Sequence, residues 1–250
     1  MDQITLNKIS FPKKDTDDLD IKKKSKIIIT SAWGEHPEFF KKVTLPRFEY
    51  IAQKWNVEFK ILEDKQNNSL FNKLLIKDTC KSYDRILFLD FDCVVGRNTP
   101  NIFDIFGEGY VYAALDGSIG DENCFHRATE MVEMQSYFGS IGWTKGYYNS
   151  GVILMDKIHH YIWDNFQNCG VKFTDQTWFN YFLRKYGFDH KTLPREYNSF
   201  GLNSIYNTIS PFEFIDLPEN IAKHAYIAHA AGVDKKEKQD YIFKLNLLME

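Results

Sequence analysis

Residues 85–95 read RILFLDFDCVV. From Ile86 to Leu89 the run is continuously apolar, as in a strand buried on both faces. Two acids, Asp90 and Asp92, then stand one residue apart among apolar neighbours. Carboxylates are almost never fully buried without partners. Residues two apart on a strand share a face, so the pair is expected to converge if the chain stays extended past Leu89. In open α/β sheets ligands bind beyond the carboxyl ends of the strands. Two acids aimed at one point there repel unless a cation lies between them, and hard divalent cations take such oxygen ligands. Read alone, the tripeptide is as compatible with one acid capping a helix and the other facing solvent.

Upstream, Lys26-Ile-Ile-Ile-Thr30 is a short β-branched run. A helix is expected over residues 37–55, with a kink or break at Pro46. Val57 to Leu62 reads as a strand, and Ser69 to Ser82 has helical spacing, with Leu70, Phe71, Leu74 and Leu75 on one side. Strand, helix, strand, helix, strand implies a parallel sheet with right-handed crossovers, a Rossmann-like half. No G-x-G-x-x-G follows Thr30 and no G-K-[ST] loop occurs, so dinucleotide and P-loop readings are unsupported. Beyond residue 95 the pattern is mixed. Tyr110 to Leu115 and Gly151 to Met155 read as strands, and Asp175 to Tyr186 as an amphipathic helix. The expected class is α/β: a Rossmann-like mixed central sheet flanked by helices. Residues 11–26 are charge-dense with little to bury, so residues 1–25 are expected to be a flexible arm before one domain over 26–250.

The bulk numbers suit a globular enzyme or binding domain. The 250 residues are 44% hydrophobic and 26% charged. Aromatic content of 16% leaves rings for a ligand surface as well as a core. A net charge of −3 provides no basic field for nucleic acid. Cys80, Cys93, Cys124 and Cys169 form no C-x-x-C pair, which argues against a zinc knuckle and for reduced thiols in a cytoplasmic protein. The opening residues MDQITLNKISFPKK have no apolar run of signal-peptide type, and nothing approaches the roughly 18 apolar residues of a membrane span.

Two enzyme classes place D-x-D at a strand end. LDFDCVV is similar to the opening motif of haloacid dehalogenase-like phosphatases, but two strands precede it here. The acidic motif those enzymes need downstream finds only Gly120-Asp121-Glu-Asn-Cys-Phe125. The other class is the nucleotide-sugar glycosyltransferases of GT-A type. Tyr148-Asn149-Ser150-Gly151-Val152 resembles the N-S/A-G-V strand of family 8 glycosyltransferases, the glycogenin and lipopolysaccharide galactosyltransferase family. Phe173-Thr-Asp175-Gln176 resembles its D-Q helix start. Leu193-Pro194-Arg-Glu-Tyr197-Asn198 looks like its L-P-x-x-Y/F-N, and His229-Ala-Ala-Gly232-Val-Asp-Lys235 like its H-x-x-G-x-x-K. With the D-x-D these make five pieces in the family's order across residues 26–236. The chain departs in two places. Lys235 is followed by Lys-Glu rather than Pro-Trp, and the segment from Gly117 to Tyr147, carrying Trp143 and Tyr147, is long; it is expected to shape an acceptor region particular to this protein.

The resemblance implies a retaining transfer of a hexose from a UDP-linked sugar to a glycan, protein or lipid-linked acceptor. It places Asp90, Asp92 and His229 on a metal. An imidazole in the ligand set leans toward Mn²⁺, with Mg²⁺ as the substitute. Thr30, Ser31, Lys73, Phe91, Gly232 and Lys235, with Asp90 and Asp92, fall at nucleotide-binding positions. Asp116, Asn149, Asp175 and Gln176 fall at donor-sugar positions, Asp175 and Gln176 also at catalytic ones. Each has a plainer reading: Asp175 as a helix N-cap, Lys73 and Lys235 as surface lysines, His229 as a packing histidine. A sugar-nucleotide or glycan-binding protein without catalysis is the remaining alternative.

Overall fold

The computed structural model describes residues 25–31, 37–62, 73, 75–117, 124–164, 166–167, 169–200, 218–233 and 236–250. Their strands are β1 Lys26–Ser31, β2 Glu58–Leu62, β3 Arg85–Asp90, β4 Cys93–Val95, β5 Val111–Leu115, β6 Tyr148–Asp156, β7 His190–Thr192, β8 Ser199–Phe200 and β9 Ile227–His229. Their α-helices are α1 Pro37–Val43, α2 Leu45–Trp55, α3 Leu75–Cys80, α4 Ile102–Ile105, α5 Ala128–Phe138, α6 Thr174–Lys185, α7 Pro218–His224 and α8 Lys238–Leu248. The expected arm, apart from Ser25, lies outside the described residues, as do residues 69–72 and 74 of the helix expected over residues 69–82 and residues 118–123 of the long segment.

The central sheet has the order β2-β1-β3-β6-β5-β7. β1 pairs in parallel with β2 and β3, as the crossover pattern requires. β6 runs antiparallel to both β3 and β5, which makes the sheet mixed. Alternation splits each strand between two cores. Ile27, Ile29, Ile86, Phe88, Ile153 and Met155 face one cluster with Trp178 and Phe179 of α6. Ile28, Leu87, Leu89, Val152 and Leu154 face the other with Phe48 and Ile51 of α2. Burial on both faces is why these strands read as unbroken apolar runs.

A small second sheet, ordered β4-β9-β8, abuts the carboxyl edge of β3. Pro46 separates α1 from α2 at Thr44, as expected of a proline that cannot continue the preceding turn. Asp175 to Tyr186 was expected to be one-sided. Instead Thr174 and Gln176 through Leu183 of α6 are all buried, because α5 and the 3₁₀ segment Lys157–Trp163 cover the side that faces away from the sheet. No helix among the described residues is long and apolar enough to cross a membrane.

Candidate active site

Asp90 ends β3 opposite Ser31, the last residue of β1. Both stand at the carboxyl edge of the parallel half, where ligands of such sheets bind. Past Asp90 the chain does not stay extended. Phe91 and Asp92 form a turn, and Cys93 already belongs to the small sheet. The expected pleat alternation therefore does not bring the acids together. Register does: Cys93 pairs with His229, which sets the imidazole beside both carboxylates. His229 Nε2 lies 3.2 Å from Asp92 Oδ1 and 3.8 Å from Asp90 Oδ2. Thr44, in the break between α1 and α2, donates its hydroxyl to the Phe91 carbonyl at 3.0 Å and pins the turn.

The orientation of His229 follows from a chain of hydrogen bonds with only one consistent assignment. The Gly151 amide donates to Asn149 Oδ1 (2.9 Å), so that atom is an oxygen. Asn198 must then present Nδ2 to it (3.0 Å) and Oδ1 to His229 Nδ1 (3.1 Å). An amide oxygen only accepts, so Nδ1 carries a hydrogen, and Nε2 is the ring nitrogen that faces the acids. At the far end Asn149 Nδ2 donates to Asp116 Oδ1 at 3.3 Å. Asp116, Asn149, Asn198 and His229 are all buried. Gly151 lies against the imidazole itself, and a Cβ there would overlap the ring.

Two lysines compensate the acids. Lys73 Nζ lies 2.8 Å from Asp175 Oδ2, 3.3 Å from Asp90 Oδ1 and 2.9 Å from Ser150 Oγ. Burial alone would push the Lys73 pKa down, but Asp175 and Asp90 outweigh it and hold the ammonium firmly charged. Lys238, in the first turn of α8, places Nζ 2.8 Å from Asp92 Oδ2. The two acids diverge in consequence. Burial, with Asp92 beside it, raises the Asp90 pKa despite Lys73. Burial of Asp92 is outweighed by His229 and Lys238, which hold its carboxyl far below the usual range.

At the far end of the asparagine chain, Asp116 accepts from Arg127 Nε at 2.5 Å, with His126 Nε2 at 3.4 Å. Burial would raise its pKa; His126, Arg127 and Asn149 together bring it below the usual value. Gln176 Oε1 accepts the Ser150 amide at 3.1 Å. Asp175 is not the N-cap of α6; Phe173 holds that place, and the Asp175 carboxylate points to Lys73. Thr30 Oγ1 and Ser31 are buried at the end of β1, and Thr30 Oγ1 has no hydrogen-bond partner among the described residues. Gly232 takes a left-handed φ of 78° in the turn after His229, which explains a glycine there. Lys235 lies outside the described residues.

Two carboxylates and an imidazole suit a divalent cation of the Mn²⁺ or Mg²⁺ kind. Neighbouring ligands on such an ion stand about 3 Å apart, which the Asp92–His229 spacing matches. Cys93 Sγ also lies within 4.8 Å of those two donors. Burial, then Asp92 and Asp90, raises its thiol pKa well above normal, and the neutral sulfur sits 3.7 Å from the Gly151 carbonyl. It is a poor ligand for a hard ion.

The structure thus joins Asp90, Asp92 and His229 to one another, and Lys73, Asp116, Asn149, Asp175 and Gln176 around them. It adds Asn198, Arg127 and Lys238, which sequence reasoning did not place. Asn198 closes the L-P-x-x-Y-N motif and Lys238 the run KKEK, so a signal existed for both; Arg127 had none.

Solved structures share this architecture. A glycosyltransferase involved in glycosylation of the major capsid of PBCV-1 aligns with TM-score 0.55 and 14% identity, over 87% of this chain and 98% of that one. The galactosyltransferase LgtC, in complex with donor and acceptor sugar analogues, aligns with TM-score 0.53 and 12% identity, over 89% and 95%. The bifunctional glycosyltransferase WbbM aligns with TM-score 0.52 and 14% identity, over 89% of this chain but 50% of its own. No curated protein sequence matches. The profile described as "Glycosyl transferase family 8" matches residues 6–221, a span that also takes in most of the segment expected as an arm. The chain belongs to glycosyl transferase family 8 and has the GT-A fold of its glycosyltransferases.

Proposed function

We propose that the protein is a metal-dependent, retaining hexosyltransferase, one domain over residues 26–250, that uses a UDP-linked donor and acts in the cytoplasm on a glycan, protein or lipid-linked acceptor. The observation that carries this reading is the chain Asp116–Asn149–Asn198–His229, which ties an acid on the sugar side to the imidazole on the cation side. A binding protein has no need to couple the two.

Asp90, Asp92 and His229 would hold Mn²⁺ or Mg²⁺, which when bound supplies positive charge against the departing diphosphate. Gly232 and Lys235 would meet the diphosphate, and Thr30, Ser31, Lys73 and Phe91 the nucleotide. Asp116, Asn149 and Asp175 would orient the sugar hydroxyls. Gln176 is held by the Ser150 amide. An amide oxygen is a weak nucleophile, and one already accepting an N–H is weaker still, which favours a front-face route over a covalent intermediate. The bond from the anomeric carbon to the diphosphate oxygen breaks, and the acceptor hydroxyl attacks from the same face. Its proton passes to the leaving oxygen, and Gln176 stabilises the positive charge on the ring between the two events.

The test is release of UDP from UDP-hexoses. EDTA should abolish it, Mn²⁺ should restore it best, and Asp92→Asn should remove most turnover with an unchanged fold. Full turnover in excess EDTA would sink the metal assignment. Tight UDP binding without turnover on any hexose donor would return the protein to the binding class.

A further inference from the structure

A cavity of 440 Å³ opens beside the sheet edge, lined by the segment 141–146 together with Tyr148, Arg184, His190 and Thr192. It shares no residue with the cluster around Asp90 and His229, although Tyr148 directly precedes Asn149 in β6. Among the described residues no aspartate or glutamate lines it.

Arg184 is its anomaly. Nη1 donates to the Asn180 carbonyl at 2.8 Å and Nη2 to the Gly146 carbonyl. The guanidinium stands over the rings of Trp143 (5.1 Å) and Tyr148 (5.3 Å). No carboxylate pairs with it among the described residues. Burial lowers its pKa to about 10, and Tyr148 and Cys124 offset the loss of hydration only in part. Arg127 faces Asp116 and Arg85 Nε lies 3.2 Å from Asp156, whereas Arg195, whose pKa burial also lowers to about 10, donates to the Leu115 and Phe200 carbonyls and does not line this cavity. Carbonyl dipoles and ring faces replace part of the lost solvation, but the net charge remains. A cation in this position attracts an anion from solution.

The room is larger than a simple ion needs and falls in the range of small-ligand sites. Threonine hydroxyls, an imidazole and tyrosine and tryptophan rings supply the polar and flat surfaces that sugars use. We infer that this cavity binds an anionic sugar unit, carboxylated or phosphorylated, with Arg184 as its counter-charge.

Calorimetric titration tests it with glucuronate, glucose 6-phosphate, glucose and inorganic phosphate. Either charged sugar should bind roughly tenfold more tightly than glucose, as a charge-assisted hydrogen bond implies, and glucose 6-phosphate more tightly than phosphate. Whichever charged sugar binds better identifies the source as an acidic glycan unit or a sugar phosphate, and either result supports the site. Arg184 also ties α6 to the segment 141–146, so Arg184→Gln can weaken the fold. Thr144→Trp avoids this: Thr144 is exposed on the cavity wall, and the indole should fill the space and remove binding at unchanged Tm. Glucose binding as tightly as the charged sugars, phosphate as tightly as glucose 6-phosphate, or full binding in Thr144→Trp would each overturn the inference. So would the failure of every probe to bind the wild type. Mn²⁺ and UDP binding of Thr144→Trp should be normal, which keeps this outcome separate from that of the proposed transferase activity.

Discussion

Gly151 and His229 are in face contact: the α-carbon of one lies against the imidazole of the other, with no space for a Cβ between them. Gly151 sits in the middle of β6 with an ordinary strand backbone, so only the ring requires a glycine. Gly151→Ala should push His229 away from Asp92 and weaken Mn²⁺ binding by roughly 10- to 100-fold, the usual cost of disturbing a ligand's support. The strand itself should survive, since such overpacking costs about 1–3 kcal/mol. Electron paramagnetic titration of free Mn²⁺ measures the change. An unaltered affinity would mean that His229 is not a ligand.

This contact marks the boundary of what the sequence discloses. The runs 27–29 and 86–89 are legible because burial on both faces leaves no polar position to confuse the pattern. The break at Pro46 is legible because a proline ring excludes the preceding turn. The meeting of Asp90, Asp92 and His229 is different. It depends on a turn at 91–92 and on the pairing of Cys93 with a residue over a hundred positions away, and neither has a periodic signal. Asn198 is visible as a motif letter, but its role appears only when the Gly151 amide fixes which way each asparagine faces. Arg127 reaches Asp116 from a segment with no counterpart in the motif set, so nothing short of the fold discloses it.

Gln176 should act on kcat more than on binding. Its oxygen takes the Ser150 amide whether or not a sugar is present, so the side chain is held before the reaction begins. If it stabilises charge only as the glycosidic bond breaks, Gln176→Ala should lower kcat on the order of a hundredfold with little change in donor KM. Steady-state kinetics on UDP-hexoses decide it. A normal kcat would remove Gln176 from the chemistry.

His159 gives the fold an acid limit near neutrality. Its Nδ1 accepts the Asp156 amide at 2.9 Å, which the protonated ring cannot do. Burial lowers its pKa from 6.5 to about 4. As pH falls, the unfolded chain takes up the proton first. The stability held by the neutral ring is thus fully present above about 6.5 and is lost as pH falls toward about 4. At about 1.4 kcal/mol per pH unit, the wild type should lose about 2 kcal/mol between pH 6.5 and about pH 5. His159→Gln keeps an acceptor without a titrating group and should lose less. Urea unfolding of both proteins across that window is the measurement, and parallel curves would refute the assignment.

Lys238 and His229 divide the Asp92 carboxylate between them. The lysine takes Oδ2 at 2.8 Å, while the imidazole faces Oδ1 at 3.2 Å. A lysine on the outer oxygen does not stand between Asp92 and His229. It turns the carboxylate so that Oδ1 points at the imidazole, and it offsets part of the charge that burial makes costly. Lys238→Met keeps the length and apolar stem of the side chain and removes only the ammonium. If the contact supports the cluster, Mn²⁺ affinity should fall by roughly tenfold. If Lys238 instead competes with a cation for Asp92, the same substitution should tighten Mn²⁺ binding, so the sign of the change is the test. Asp92→Asn in the Lys238→Met background should then lose no more affinity than Asp92→Asn alone, because the lysine acts only through that carboxylate. A further additive loss would show that Lys238 reaches the site by another path.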